Sequence, residues 1–334
     1  MRTLFRRLRR PIAGPAAAAA LTLALVAVAL QFTSAASAKR SSCGHPVTRA
    51  PTGRATVSAR STSFGRVLVV GSGAYAGCSL YLLTSDQLHA LSGAHFACSD
   101  NANVLKKPCD TVLWPALLTK GAPLAGKGVN PKLLGTVSRT DLPGMSKVRQ
   151  VTYGGYPLYR FFLDATPGAT EGANLFDPVP SPGGIWYLVN PRGGVPATGQ
   201  ARLRLESAPV GGTGPDRTVL AVVMNPDFSV FPHASFPVYV RSHKGHKSPC
   251  KGLCTVYWPP VLTSKRPKAE AGVNRHALGI VVRPDGTHQV TYNGRPLYLF
   301  IKDAYIKGVT GTKSINGAGA HTPWGVFNTI PRVP

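Results

Sequence analysis

The chain has 334 residues and a formal net charge of +25, from 38 Lys and Arg residues against 13 Asp and Glu residues. Its apolar content of 43% is normal for a globular protein. Gly and Pro number 36 and 30, an abundance that favours short strands and turns over long helices. The positive charge attracts polyanions without choosing among them.

The N-terminal segment has the organisation of a secretory signal. Five arginines lie within the first ten residues, an apolar run follows from about residue 12 to residue 30, and Ala36-Ser37-Ala38 supplies a small-residue cleavage site. We expect cleavage there and a mature chain that starts near Lys39. One alternative is an uncleaved membrane anchor, because the apolar run is just long enough to span a bilayer. Another is lipid attachment through Cys43, although the residues before it match a lipidation site poorly.

All six cysteines follow this segment, and an even number in an oxidising compartment favours disulfides. The pairs favoured by proximity in the sequence are Cys250–Cys254, Cys98–Cys109 and, by remainder, Cys43–Cys78. Six cysteines permit other connectivities, so these pairs are predictions from proximity alone.

The chain contains an internal repeat. The sequence VTYGGYPLY at residues 151–159 recurs as VTYNGRPLY at residues 290–298. Upstream, Trp114 and Trp258 are each followed by proline, and Gly-Val-Asn and Leu-Gly come after both of them in the same order. The chain is therefore predicted to hold two homologous halves. We place their boundary near residues 195–215, where Pro, Gly and Thr accumulate.

A shorter pattern recurs inside each half: a tyrosine, an apolar residue two positions later and an aspartate five positions after the tyrosine. Its copies, here called boxes, are Tyr81/Leu83/Asp86, Tyr159/Phe161/Asp164 and Tyr298/Phe300/Asp303. Residues 238–244 look like a decayed fourth box. In that segment Arg241 replaces the apolar residue and Lys244 replaces the aspartate.

These patterns indicate strands joined by tight turns. Residues i and i+2 face the same side of a strand, so the tyrosine and the aromatic residue of each box share one face. Asn293-Gly294 and Gly154-Gly155 are typical of two-residue type I′ turns and predict a hairpin at the centre of each half. Asp164 and Asp303 then fall at strand ends, where carboxylates accept hydrogen bonds from turn amides. The predicted fold class is all-β: two homologous modules of short antiparallel strands and hairpins after an N-terminal signal segment.

Taken together, the motifs resemble a bacterial secreted repeat family, often called predicted lipoproteins with a conserved YxFxxD-type motif. The resemblance rests on the boxes, on Cys250-x-x-x-Cys254 before Trp258-Pro-Pro260, and on QVTYNGRPLY at residues 289–298. It covers most of residues 50–330. It implies export and a repeated architecture, but the family is itself largely of unknown function. This chain departs from the pattern in lacking a convincing lipidation sequence and in the longer cysteine spacing of its first half.

One basic loop groups four side chains that ligate metals, and these are His243, His246, Cys250 and Cys254. Two imidazoles and two thiolates could enclose zinc tetrahedrally or suit a softer metal. Against this, the compartment favours a disulfide between the two cysteines, the first half offers no equivalent histidine pair, and three lysines share the loop. We therefore predict no metal and no cofactor, and we keep the loop as the alternative metal site.

The aromatic residues of the boxes, with Trp114 and Trp258, admit two interpretations. They form an exposed face for a flat ligand, a sugar or a redox cofactor, or they belong to the core. Their recurrence at strand positions in both halves favours the core. The sequence contains no Gly-x-Ser-x-Gly, His-Glu-x-x-His or phosphate-loop motif. Turn capping explains Asp164 and Asp303 without a general-acid role, so we expect that the protein is not an enzyme.

The predicted organisation is a signal peptide at residues 1–38, a linker at 39–50, a first module at 51–195, a linker at 196–215 and a second module at 216–334. The predicted function is that of an exported, non-catalytic binding or scaffold protein of the cell envelope or the extracellular space. Its charge fits two interpretations equally: an anionic partner, either a wall polymer or a membrane surface, or an excess spread over the surface for solubility. No nucleic-acid partner is expected. The alternatives are a redox or metal-handling surface protein and a wall-polymer hydrolase.

Overall fold

The computed structural model describes residues 43–86, 96–99, 103–104, 107–177, 184–193, 196–224, 235–242, 250–306, 309–310 and 314–331. All of them belong to one compact unit, Ser41–Pro334. They fold mainly into short strands, which confirms the predicted all-β class. Within the described ranges no helix is long and apolar enough to cross a membrane. The apolar run at residues 12–30 lies outside those ranges.

The first half of the chain consists of short strands joined by turns. Its strands are β1 (Thr56–Thr62), β2 (Gly65–Val70), β3 (Tyr81–Leu83), β4 (Asn103–Val104), β5 (Lys107–Pro108), β6 (Leu118–Thr119), β7 (Leu124–Ala125), β8 (Leu134–Arg139), β9 (Val148–Tyr153), β10 (Tyr156–Pro157), β11 (Leu175–Asp177), β12 (Gly184–Val189) and β13 (Pro196–Ala197). A π-helical turn, Cys109–Leu113, leads to Trp114. A 3-10 turn, Pro131–Leu133, precedes β8 and is capped by the side chain of Asn130.

The second half has a similar order of elements. Its strands are β14 (Arg202–Pro209), β15 (Asp216–Val223), β16 (Ser235–Pro237), β17 (Tyr239–Ser242), β18 (Lys268–Ala269), β19 (Leu278–Val282), β20 (His288–Tyr292), β21 (Arg295–Tyr298), β22 (Tyr305–Ile306), β23 (Val309–Thr310), β24 (Ala320–Thr322) and β25 (Gly325–Thr329). A short helix, α1 (Leu253–Tyr257), leads to Trp258. The 3-10 turns are Arg275–Ala277, before β19, and Ile301–Ala304, after β21.

The same pairing unit opens both halves. An antiparallel hairpin of β1 and β2 is joined in parallel by β7, and a hairpin of β14 and β15 is joined in parallel by β18. Farther along the first half, β9 pairs with β6, β8 and β10, while β12 pairs with β3, β11 and β13. In the second half, one six-stranded sheet has the order β19-β20-β21-β17-β25-β24. The repeat in the sequence is therefore also a repeat in strand pairing.

Both predicted central hairpins are present. Gly154 and Gly155 have φ values of +57° and +87°, and Asn293 and Gly294 have φ values of +47° and +71°. Positive φ at both central residues defines the type I′ turn, whose twist matches that of the flanking strands. Tyr153 pairs with Tyr156 across the first turn, and Tyr292 pairs with Arg295 across the second.

The two halves share an apolar core. The largest cluster of buried apolar side chains draws on both of them, including Val57 and Val151 from the first half and Leu203 and Val290 from the second. Two smaller clusters are each built within one half around Trp114 or Trp258. The halves therefore meet through common packing, and each also keeps a cluster of its own.

Two segments that the sequence predicts to be linkers contribute to this fold. Strand β14 lies within residues 196–215, and its first residues, Arg202-Leu-Arg-Leu205, have the polar–apolar alternation of a strand. The Pro, Gly and Thr residues around it obscure that alternation in the sequence. Within residues 39–50, Cys43 is buried and bonded to Cys78. The division into two modules stays a prediction.

Candidate functional site

The first half builds a cluster of aromatic rings around Trp114. Its ring stacks on Trp186 with 3.8 Å between ring centroids and packs against Phe161 at 4.2 Å. The Tyr81 ring meets Trp114 edge-on at 5.4 Å, and the Tyr159 ring meets Trp186 edge-on at 5.2 Å. We call these five residues the first aromatic cluster.

The second half builds the same arrangement around Trp258. Its ring stacks on Phe327 at 3.8 Å and on Phe300 at 4.3 Å, and it meets the Tyr239 ring edge-on at 5.4 Å. Tyr298 meets the edge of Phe327 at 5.6 Å. These five residues form the second aromatic cluster, in which Phe327 takes the place of Trp186.

The predicted motif residues lie in the interior. Apart from Phe300, which is half-buried, each has at most 2% of its surface exposed. They are Tyr81, Asp86, Trp114, Tyr159, Phe161, Asp164, Trp258, Tyr298, Phe300 and Asp303. This packing favours the core interpretation over an exposed aromatic face.

The aspartates of the first half exchange hydrogen bonds with the tyrosines of the opposite box. Tyr81 donates from its hydroxyl to Asp164 Oδ2 at 2.9 Å, and Tyr159 donates to Asp86 Oδ2 at 2.6 Å. Each carboxylate also accepts a backbone N–H, Asp164 from Glu171 at 3.0 Å and Asp86 from Ala97 at 2.9 Å. The bond from Glu171 to Asp164 matches the predicted turn capping, whereas no capping was predicted for Asp86 and the crossed tyrosine bonds were not predictable from spacing.

In the second half, one tyrosine–aspartate hydrogen bond is found among the described residues in place of the two in the first half. Tyr239 donates to Asp303 Oδ2 at 2.6 Å, and Asp303 accepts the Asn316 N–H at 2.8 Å. Tyr298 instead accepts a hydrogen bond from the Cys250 N–H at 3.3 Å. The aspartate that would answer Asp86 is replaced by Lys244, which lies outside the described residues. The decayed box therefore still supplies a tyrosine, Tyr239, that bonds to the aspartate of the other box.

Burial is the largest influence on these carboxyl groups. It raises the pKa of Asp164 to about 8, although hydrogen bonds from Tyr81 and Glu171 favour the charged form. It raises the pKa of Asp86 to about 6 against the opposing hydrogen bond from Tyr159 and the positive charge of Arg139. Burial also raises the pKa of Asp303 well above its ordinary value. These groups therefore bind protons more strongly in the folded chain than in the unfolded chain.

A buried arginine and a buried glutamine lie beside each cluster. Gln289 belongs to the motif that carries the family resemblance, but the pairing of arginine with glutamine was not predicted from the sequence. Arg139 donates to Gln150 Oε1 at 2.7 Å, as Arg283 does to Gln289 Oε1 at 2.8 Å. Both arginines also donate to a cysteine carbonyl, of Cys98 at 3.3 Å and of Cys250 at 2.8 Å in the same order. A repeated signal existed, because each arginine is followed two positions later by an aspartate that forms an ion pair with it.

Comparison with known families identifies the part of the chain that contains the second hairpin and Asp303. Residues 279–319 match a family model described as a secreted repeat of unknown function. This match confirms the family resemblance predicted from the motifs. No curated protein matches the chain, and no solved structure matches it.

The secreted-repeat match and the disulfides together indicate an exported protein. Disulfides join Cys43 to Cys78, Cys98 to Cys109 and Cys250 to Cys254. Because Cys43 is in a disulfide, it has no thiol with which to carry a lipid.

The same bonding bears on the alternative metal site. Cys250 and Cys254 are bonded to each other and present no thiolate pair. His243 and His246 lie outside the described residues. Among the residues that the structure describes, no group of three or more His, Cys, Asp or Glu side chains is placed to hold a metal.

We expect the free energy of unfolding to fall as the pH rises from about 4 to about 8. The pKa of Asp164 is about 8 in the folded chain against an ordinary value of 3.8, so the folded chain binds the extra proton in this interval. The stabilisation is fully present below the lower value and is lost as the pH rises through the higher one, by at most about 1.4 kcal/mol per pH unit for this group. Urea denaturation at a series of pH values measures it.

Asp164→Asn removes the titrating group, so its stability should vary less with pH than that of the wild type between pH about 5 and 8. The exposed Asp216→Asn is the matched control and should keep the wild-type slope. Because slopes are compared, a general loss of stability in the first variant does not affect the test. Identical slopes in all three proteins would contradict the prediction.

A second expectation compares tyrosines at equivalent places in the two halves. At pH 7, above the pKa of about 6, Tyr159→Phe takes a donor from the ionised Asp86 and should cost about 1.5–3 kcal/mol. Tyr298→Phe removes a longer bond to a neutral N–H and should cost about 0.5–1.5 kcal/mol. Urea unfolding of both variants measures the difference, and a larger loss for Tyr298→Phe would show that the carboxylate bond contributes little.

Proposed function

We propose that the protein is an exported, non-catalytic binding or scaffold protein of the cell envelope, held on anionic polymer by its surface charge. The proposal includes removal of residues 1–38 as a signal peptide. The burial of the motif residues supports it, because Asp164 and Asp303, the candidate general acids, are fully buried and already engaged by tyrosines and backbone amides. Recognition is then a property of the surface.

The distribution of charge is the observation that carries this proposal. Among the described residues four acidic side chains are buried, namely Asp86, Asp110, Asp164 and Asp303. Only three of the 38 basic residues, Arg139, Arg160 and Arg283, are buried among the described residues. The buried acids and the buried bases nearly cancel, so the large positive net charge of the sequence is carried by residues outside this buried set. A surface of this kind attracts phosphate- and carboxylate-bearing polymers.

Binding of the natively exported protein to immobilised polyphosphate and poly-glutamate tests the proposal, with vesicles of phosphatidylglycerol and of phosphatidylcholine alongside. We expect retention on the anionic polymers that weakens as salt is raised, because screening shortens the range of surface charges to about 3 Å at 1 M salt. The proposal would be contradicted if the protein bound neither polymer, or if its binding were undiminished in high salt. Retention on the anionic vesicles alone would assign the charge to a membrane surface instead.

The intact mass of the same exported protein tests the signal peptide. A chain that starts near Lys39 with three disulfides is the expected result. A mass that includes residues 1–38 would contradict cleavage and support the alternative that the apolar run is a membrane anchor.

A further inference from the structure

An open cleft of about 740 Å³ lies on the first half of the chain. Three segments border it: the start of β2 at Arg66, the turn that carries Gly128 and Asn130, and the turn after β12 at residues 190–192. Its polar lining consists of Arg66, Asn130, Asn190 and Arg192. None of the residues that line it is acidic.

The polar side chains present donors to this space. Arg66 and Arg192 are exposed, and neither forms an ion pair with a carboxylate of the described residues. Asn130 Oδ1 accepts the Lys132 N–H at 3.1 Å, and Asn190 Oδ1 accepts the Arg192 N–H at 2.9 Å. Each asparagine also carries an NH₂ group with two donor hydrogens. Two guanidinium groups and two amide donors are complementary to oxyanions.

The walls of the cleft are tied together from inside. The buried hydroxyl of Tyr153 donates to the Pro191 carbonyl at 2.5 Å and accepts the Asn130 N–H at 3.1 Å, so it joins two of the three segments. Gly128 has a φ of +80°, and a Cβ there would come within 2.1 Å of Arg66 Nη2. Glycine therefore lets the guanidinium lie against the turn. The two turns that border the cleft are therefore held together by hydrogen bonds within the protein.

The second half differs at the equivalent place. Gly272 has a φ of +81°, like Gly128, but a Cβ there would meet Leu205 Cδ1 at 2.9 Å instead of a guanidinium. Leu205 is 42% exposed. By strand pairing, Leu205 corresponds to Ala59 of β1, and the counterpart of Arg66 on β15 is Thr218, which carries no charge. The guanidinium beside the first glycine is therefore a feature of the first half and is not repeated in the second.

We propose that this cleft binds the phosphate or carboxylate groups of an extended anionic polymer. The proposal rests on the proposed function and deepens it by placing recognition at one site, where the general surface charge would otherwise act diffusely. Arg66 and Arg192 pair with oxyanions in the planar geometry that guanidinium groups favour, and the two asparagine amides donate to the same or the next anionic group.

The test compares two double variants that each remove two positive charges. Arg66→Gln with Arg192→Gln alters the cleft, and Arg217→Gln with Arg275→Gln alters two exposed arginines of the second half. Affinity for short linear polyphosphate and for poly-glutamate is measured at about 0.1 M salt, where the Debye length is about 10 Å. Thermal unfolding confirms that both variants fold. We expect the cleft variant to bind about 10-fold or more weakly and the control to lose less than about 3-fold.

The remaining outcomes distinguish binding at the cleft from retention by diffuse surface charge. Equal losses in the two variants would overturn the cleft while leaving retention by diffuse charge in place. Retention on phosphatidylglycerol vesicles without binding of either soluble polymer would also overturn the cleft. A wild-type protein that binds no polyanion would overturn both proposals. A selective loss for one polymer supports the cleft and identifies its anion as phosphate or carboxylate.

Discussion

Trp258→Ala is expected to lower the free energy of unfolding by about 3–5 kcal/mol, the usual cost of replacing a buried tryptophan by alanine. The Trp258 ring is 1% exposed and contacts Phe327, Phe300 and Tyr239, so its removal leaves a cavity among rings that other contacts hold in place. Trp114→Ala should cost a similar amount, because the first aromatic cluster has the same geometry. Urea denaturation monitored by circular dichroism measures both losses.

Val282→Ala is the control, since Val282 is 63% exposed on β19 and should change stability by less than about 0.5 kcal/mol. A loss below about 1 kcal/mol for either tryptophan variant would contradict the packing described here. If Trp114→Ala were tolerated and Trp258→Ala were not, the two clusters would differ in their contribution to folding.

Gly172→Ala is expected to destabilise the protein by about 1–3 kcal/mol through overpacking. A Cβ at Gly172 would lie 2.7 Å from Trp114 Cη2 and 3.0 Å from Phe161 Cγ, and both rings are held within the cluster. Gly317→Ala should behave in the same way, because its Cβ would lie 2.8 Å from Trp258 Cη2. Alanine keeps the backbone N–H, so the Gly317 hydrogen bond to the Tyr239 hydroxyl is retained and the loss is steric.

Gly53→Ala is the matched control for these substitutions. A Cβ at Gly53 would meet nothing within 4 Å, and its φ is not positive, so the change should be neutral or stabilising by up to about 1 kcal/mol. Chemical denaturation of all three variants gives the comparison. A stability for Gly172→Ala equal to that of Gly53→Ala would mean that the Trp114 ring moves freely, in conflict with its close packing.

The hairpins could be predicted because their determinants are adjacent in the chain. Asn293-Gly294 and Gly154-Gly155 adopt positive φ, and the strands beside them pair across the turn. The cysteine pairs also followed from proximity, with separations of 4, 11 and 35 residues. Local backbone preference and short loop closure act over distances that a sequence shows directly.

The partners of the box aspartates could be predicted only in part. The amide that bonds to Asp164 lies 7 residues away, next to the predicted turn, whereas the amide that bonds to Asp303 lies 13 residues away, beyond the predicted turn. The tyrosines that bond to the same carboxylates lie 83 and 64 residues away, in the other box of each half. Nothing in the spacing of one box indicates that its aspartate bonds to the tyrosine of another.

Several residues of the site were missed although the sequence contains a signal for them. Gly184-Ile-Trp186 and Gly325-Val-Phe327 are matching segments that supply the stacked ring of each cluster. Gly172-Ala and Gly317-Ala also match, and each glycine lies against a tryptophan. These matches are too short to separate from chance until the packing shows that both members contact the same ring.

The repeat, the all-β class, the central hairpins and the disulfide pairing of the cysteines could all be inferred from the sequence. These depend on alternation, turn residues and composition, which act between neighbours. Tertiary structure alone decided that the halves share an apolar core, that tyrosines and aspartates cross between boxes, and that Arg66 and Arg192 border one cleft. Such contacts join residues far apart in the chain, and their energies depend on burial and on distances that exist only once the strands have packed.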